Sequence, residues 1–148
     1  MDPQQFAPLP DATAAPWRRY GQWQRMLFPK LVGIVVEDLR TDYCRMRMPY
    51  RPELDQPHGV VHGGAIATLL DSVVVPAIGA AYDLDQRFAT VSMNVDFLGA
   101  VVGEDVIAEG CVVQRGRSIA FCRAEAATPD GRLVATASLV YRIMGPRG

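Results

Sequence analysis

The chain has 148 residues, 49% of them hydrophobic, with a formal net charge of −1. That length fits one domain with a real core, and the balanced charge excludes bulk attraction to nucleic acid or to an anionic membrane. Cysteine is sparse and odd in number (Cys44, Cys111 and Cys122) and no secretory signal opens the chain, which predicts a cytoplasmic protein without a disulfide framework.

Residues Met1 to Ala15 are rich in Pro, Ala and Gln and read as a loose arm. Pro16 is expected to open a short helix, with Trp17, Tyr20, Gln24 and Leu27 along one face and Pro29 at its end. Residues 1–30 thus form an arm and helix, and residues 31–148 a single domain. Leu31 to Leu39 and Asp42 to Met48 read as two strands joined by a turn at Arg40-Thr41. In the second, Cys44, Met46 and Met48 alternate with Tyr43, Arg45 and Arg47, the period of a half-buried strand whose arginines face solvent. Pro49, Pro52 and Pro57 then force an extended loop that delivers Gln56 and His58 to the next element.

That element, Ala65 to Tyr82, is apolar almost all round, with one acid, Asp71, in its middle. A helix apolar on every face is a buried one, and eighteen residues at ~1.5 Å each span about 27 Å. Its length, its Gly and Pro residues and its carboxylate argue against a membrane span. Gly63-Gly64 at its start leaves backbone N–H groups uncovered by side chains, a place that attracts an anion or a polarised carbonyl oxygen. Asp71 is costly there unless it has a partner or a task. A close backbone contact at the glycines and a capping or ion-pairing role for Asp71 are the structural alternatives. His58 and His62 stand four apart, the spacing of metal ligands on a helix, but Pro57 and Gly59 place His58 before the helix and no third ligand is well spaced. No metal is expected, and His62 is expected to fasten the helix-start loop through its ring.

Four further strands are predicted. Arg87 to Leu98 sets Val91, Met93, Val95 and Phe97 against Thr90, Ser92, Asn94 and Asp96. Val106 to Gln114 and Ser118 to Ala127 flank a tight Arg115-Gly116 turn. Thr128-Pro-Asp-Gly131 is a turn by composition and leads into Leu133 to Ile143. All three cysteines fall in strand-like runs, where buried packing is expected. Hairpin-linked strands and one long buried helix give an α+β fold, an antiparallel sheet wrapped round a central helix.

His62 and Asp71 lie nine residues apart, about half a turn out of phase and roughly 13 Å along a helix axis. One small reacting group cannot touch both within one chain. If the helix start and Asp71 serve one site, two copies of the chain must build it, as a homodimer with two equivalent sites.

His62-Gly-Gly with Asp71 nine residues on and Gln56 six before, then Gly103-Glu104-Asp105, Gln114-Arg-Gly-Arg-Ser118 and Asp130-Gly-Arg132, resembles the PaaI-like hotdog-fold acyl-CoA thioesterases of the phenylacetate-pathway group. The likeness covers roughly Leu31 to Ile143, with Gln56 standing where that family usually has Asn. It implies a homodimer, often a dimer of dimers, that hydrolyses acyl-CoA. It implies that the Gly63 N–H polarises the thioester carbonyl, that Asp71 of the other subunit attacks it or activates water, and that Thr90 orients the water. Gln56 would position the carbonyl or water, with His62 at the helix start. The turn Gln114, Arg115, Gly116, Arg117 and Ser118 would hold the coenzyme A phosphates, although two arginines also suit a solvated hairpin tip. Coenzyme A is then part of the substrate, and no separate cofactor is expected. A non-catalytic acyl-CoA-binding module and a hotdog dehydratase or hydratase are the other readings, and aryl, medium-chain and long-chain acyl groups all remain open.

Overall fold

The alternating strands and the single long apolar helix resolve into one antiparallel sheet curled around that helix. A computed structural model describes residues 1–145; the last three residues of the expected domain, 146–148, lie outside them. In chain order the elements are α1 (Asp11–Arg18), α2 (Phe28–Val32), β1 (Val35–Arg40), β2 (Tyr43–Met48), α3 (Gly63–Gly79), β3 (Arg87–Phe97), β4 (Val106–Arg115), β5 (Ile119–Ala127) and β6 (Leu133–Met144). The sheet runs β1-β2-β4-β5-β6-β3. This is the expected α+β hotdog architecture. No helix among the described residues is long and apolar enough to cross a membrane.

The core lies between α3 and the concave face of the sheet. Leu69, Leu70, Val73, Val74 and Ile78 of α3 meet Cys44, Met46 and Met48 of β2 and the small residues Ala120, Cys122, Ala124 and Ala126 of β5, all of them buried. Closest approach is at Gly110 of β4, where a Cβ would stand 2.7 Å from Val73 Cγ1 and 2.8 Å from Val74 Cγ1. All three cysteines are free and buried, as expected, and burial pushes the Cys122 thiol up to about 12. They are packing residues rather than nucleophiles.

The N-terminal third differs from its sequence reading. The arm is ordered: the Phe6 ring stacks on Tyr43 at 4.9 Å, the Thr41 N–H donates to the Ala7 carbonyl at 2.9 Å, and Pro8 bridges to Arg40 of β1. Helix α1 begins at Asp11 instead of Pro16. An acid in the first turn suits the helix dipole, alanines carry the helix on, and Pro16 falls near its end, where one missing N–H costs little. Trp17 closes α1 against the far end of α3, so tightly that a Cβ at Gly79 would lie 2.3 Å from its ring. Pro29 opens α2 rather than ending a helix, in keeping with proline's fit to a first helical turn, and Leu31 is therefore helical. The β1–β2 turn falls one residue later than expected, at Thr41-Asp42, with Asp42 at φ 60°. Arg45 and Arg47 lie on the outer face but are not simply solvated. Arg45 pairs with Glu37 at 3.0 Å and Glu109 at 3.1 Å, and Arg47 pairs with Glu37 and with Asp105 at 3.1 Å.

Strand β3 corrects one expectation that bears on function. Its pairing with β6 shifts register between Thr90 and Ser92, a bulge centred on Val91. Thr90 pairs with Tyr141, Met93 with Leu139 and Val95 with Ala137, so Thr90 shares the helix-facing side with Met93, Val95 and Phe97. Val91, expected on the same face as Met93, Val95 and Phe97, is 59% exposed. An extra residue in one strand re-aims the side chains around it, and here it turns Thr90 inward.

Because α3 sits against Gly110 with no space for a methyl group, Gly110→Ala is expected to destabilise the protein by ~1–3 kcal/mol through overpacking. Urea unfolding at fixed protein concentration checks this: the midpoint should fall with the slope unchanged.

Candidate functional site

The start of α3 is held by a short, closely bonded loop. The Tyr50 hydroxyl donates to Asp55 at 2.8 Å, the His62 N–H to the Leu54 carbonyl at 2.8 Å, and the Val61 N–H to the Val101 carbonyl at 2.9 Å. Gln56, Pro57, His58 and Gly59 form the turn at its tip, closed by the Gln56 N–H on the Val60 carbonyl and by Gly59 at φ 76°. His62 is the N-cap. Its Nδ1 accepts the Gly64 N–H at 2.8 Å, which assigns the proton of the neutral ring to Nε2. A ring nitrogen thus does the work usually left to a Ser or Asp side chain. It satisfies Gly64 and leaves the Gly63 N–H without a hydrogen-bond partner among the described residues. The Phe97 ring covers Gly63 closely enough that a Cβ there would meet it at 3.3 Å.

Asp71 lies eight positions further on, about 12 Å along the axis of α3. It is half-buried and faces β3 and β6. The Thr90 hydroxyl donates to its Oδ1 at 2.9 Å, and the Tyr141 hydroxyl lies 2.5 Å from the same oxygen and 2.8 Å from the Asp71 carbonyl. The resemblance singled out Thr90, which the structure sets against Asp71; it did not single out Tyr141. Burial, then the Asp71 charge, push the Tyr141 hydroxyl well above the usual phenol range, so the ring remains a donor. A signal for it existed: β6 points Leu, Ala and Ile inward beside one Tyr, and a buried tyrosine hydroxyl needs a polar partner. Asp71 is the sole acid of the central helix.

Beyond Asp71 lies an aromatic wall. Tyr20 packs edge-on to Trp23 at 5.0 Å, and Phe88 sits 6.4 Å from Trp17 and 5.8 Å from Tyr82. A cavity of about 240 Å³ opens there, lined by Pro16, Trp17, Tyr20, Trp23 and Leu84.

The β4–β5 turn sits elsewhere, by the C-terminal end of α3. Arg115 is occupied: its guanidinium pairs with Asp42, donates to the Ile78 carbonyl at 3.2 Å and lies over the Tyr82 ring at 5.1 Å. Arg117 is exposed and makes no ion pair or side-chain hydrogen bond among the described residues. Gln114 and Ser118 are exposed, and the Gly116 N–H closes the turn on the Ile119 carbonyl at 2.7 Å. Glu104 and Arg132, from two of the sequence motifs, pair with each other at 3.1 Å, and Asp105 accepts the Tyr50 N–H at 2.8 Å. These motif residues brace the loops around the sheet. Among the described residues no three His, Cys, Asp or Glu side chains are grouped as a metal site would require.

Within one chain, then, the structure brings together Asp71, Thr90 and Tyr141 at mid-helix, and His62, Gly63 and the Gln56 turn at its start. It does not bring Asp71 to Gly63. The sequence profile of the Thioesterase superfamily matches residues 58–135, a stretch that contains His62, Gly63, Asp71 and Thr90. A Halobacterium salinarum protein named for a proposed esterase activity is 33% identical over 103 residues, covering 66% of this chain and 68% of its own. A solved thioesterase family protein from Silicibacter pomeroyi superposes with a TM-score of 0.77 at 27% identity, over 87% of this chain and 97% of that one. The E. coli PaaI protein from the phenylacetic acid degradation operon shares the fold at a TM-score of 0.80 and 17% identity, over 92% of this chain and 96% of that one. With an unpartnered amide at a capped helix start, a carboxylate set at mid-helix and that profile spanning both, the chain belongs to the thioesterase superfamily, whose chemistry is the hydrolysis of thioesters.

Proposed function

We propose that the protein hydrolyses acyl-CoA thioesters in the cytoplasm, at two equivalent sites of a homodimer. The observation that carries this is the spacing on α3. A free Gly63 N–H and a positioned Asp71 carboxylate, both suited to acyl transfer, stand about 12 Å apart on one helix and need a second copy to meet. Strand β3 favours such a pairing, because it is an open sheet edge with Val91 59% and Phe97 54% exposed, and Leu98 just past its end 57% exposed. Exposed apolar residues on β4 and β5, Val113 and Phe121, offer a surface on which two dimers could stack.

In each site the Gly63 N–H of one subunit donates to the thioester carbonyl oxygen and stabilises the oxyanion that forms there. Asp71 of the other subunit either attacks the carbonyl carbon or takes a proton from the attacking water, with Thr90 beside it. The C–S bond then breaks and coenzyme A leaves, its sulfur taking up a proton that comes from the water. Direct attack by water gives the acid at once, whereas attack by Asp71 leaves an acyl–Asp71 anhydride that a water then cleaves to the acid and free Asp71. Gln56, in the turn that packs against the helix start, positions the carbonyl or the water. His62 serves indirectly, by capping Gly64 so that Gly63 is the amide left free. The placement of the histidines favours hydrolysis over hydration of the acyl chain. The His62 ring is committed through Nδ1 to the Gly64 N–H and His58 lies in an exposed turn, so no imidazole lies beside Asp71 of its own chain.

The coenzyme A phosphates fall to the Gln114–Ser118 turn, with Arg117 as the contacting cation and Arg115 bracing the turn from behind. Arg117→Ala is therefore expected to raise KM for acyl-CoA with little change in kcat, and to matter less for a pantetheine thioester that lacks the nucleotide. Equal effects on both substrates would move the phosphate site elsewhere.

Asp71→Asn should fold and lose ~100-fold or more of turnover, measured as thiol release from a panel of acyl-CoAs. Gly63→Pro, which deletes the donor N–H at a position where helices accept proline, should be inactive too. Co-expressed at equal amounts, the two variants should form about half heterodimers, each with one intact site, and recover about a quarter of the wild-type activity. Heterodimers confirmed by mass and still inactive would exclude a site shared between subunits.

A further inference from the structure

The two hydroxyls at Asp71 converge on the same oxygen. Thr90 Oγ1 and the Tyr141 hydroxyl both lie within hydrogen-bond distance of Oδ1, at 2.9 Å and 2.5 Å, while Oδ2 makes no hydrogen bond among the described residues. The final torsion of an aspartate side chain is broad and nearly two-fold, so an unclamped carboxylate samples many orientations. Two donors on one oxygen select one of them. Tyr141, 2% exposed, reaches Oδ1 from the core, and Thr90 reaches it from the open edge of the sheet. The two are cross-strand partners, and Thr90 takes this place only because of the bulge at Val91.

We propose that Tyr141 is a positioning residue for Asp71: with Thr90 it clamps Oδ1 and so presents Oδ2 as the oxygen that meets the substrate or its water. This rests on the hydrolytic role of Asp71 proposed above. The Tyr141 hydroxyl carries a single proton, and its shorter contact is the one to Oδ1; the contact at 2.8 Å to the Asp71 carbonyl fixes the phenol over the same helical turn. The clamp does two things. It fixes the plane of the carboxylate, and it draws negative charge toward the oxygen that does not react. The working oxygen is thereby held at one angle, at some expense in intrinsic basicity. The other titratable group near this centre is Tyr20, whose hydroxyl is pushed up by burial and by the Asp71 charge and which donates no hydrogen bond to the carboxylate among the described residues.

The test is Tyr141→Phe, which keeps the ring and removes the donor. Turnover should fall about 10-fold or more, with KM for acyl-CoA within about 2-fold of wild type. Losing a donor to a carboxylate disfavours its charged form, so the acidic limb of the kcat/KM profile should move to higher pH. A residue that only filled space would not move that limb. Thr90→Val, at the sheet edge and without consequence for the core, should shift the limb the same way, and Thr90→Ser should recover most of what Thr90→Val loses. If Tyr141→Phe does not fold, Thr90→Val and Thr90→Ser decide the matter alone. Folded variants with wild-type turnover and an unmoved limb, beside an inactive Asp71→Asn, would overturn the clamp while leaving the hydrolytic reading intact. An active Asp71→Asn would instead remove the reading on which the clamp depends.

Discussion

The contact on which the structure depends is that of α3 with the strands beneath it. An apolar helix that lies flat on a sheet must come close enough to exclude water, and Gly110 makes that approach possible by having no side chain where Val73 and Val74 press on β4. The small residues of β5 continue the same shallow bed. With the helix set at that depth, its one carboxylate cannot be solvated by water alone and must draw donors from the neighbouring strands. Thr90 and Tyr141 meet that need. The polar cluster at Asp71 is therefore a consequence of how the apolar core closes.

The same helix carries two different polar arrangements along its length. Its start is a backbone device: a histidine cap, a glycine pair and one unpaired amide. Its middle is a side-chain device, a carboxylate and two hydroxyls. Each is rigid for its own reason, the first because the loop from Tyr50 to His62 is cross-bonded to Val101 and Leu54, the second because β3 and β6 are paired along their lengths.

Much of this was legible in the sequence. Period-two alternation located β2, β4, β5 and β6 to within a residue or two, and the apolar run with one acid located α3 and Asp71. The Gly pair after His62 marked the helix start for a physical reason, uncovered N–H groups. What escaped was of several kinds. Prolines mislead where they are tolerated: Pro16 lies late in α1 and Pro29 opens α2, and composition alone does not distinguish a helix start from a helix stop at either. The arm from Met1 to Ala15 has no periodicity, and its order comes from partners far away in sequence, Tyr43 and Arg40. The bulge at Val91 breaks the alternation of β3 without leaving a glycine or proline to mark it, so Thr90 read as sharing a face with Ser92, Asn94 and Asp96 rather than with Met93 and Val95. Tyr141 was hidden in a list of inward residues, where only its hydroxyl set it apart. The turn at Arg115 was found, but its two arginines look alike in sequence, and only the fold separates the one paired with Asp42 from the one left free.

The ordered N-terminal arm also bears on how sheets of this protein can join. A six-stranded sheet has two edges, and each unpaired edge is a template on which another strand can add. One edge, β1, carries a bulge between Val36 and Asp38 and is met by a proline at Pro8, which has no N–H to offer an incoming strand. The other, β3, is open. A chain with two sticky edges would propagate into fibres, head to tail, without limit. A chain with one open edge offers no second edge from which such growth could continue.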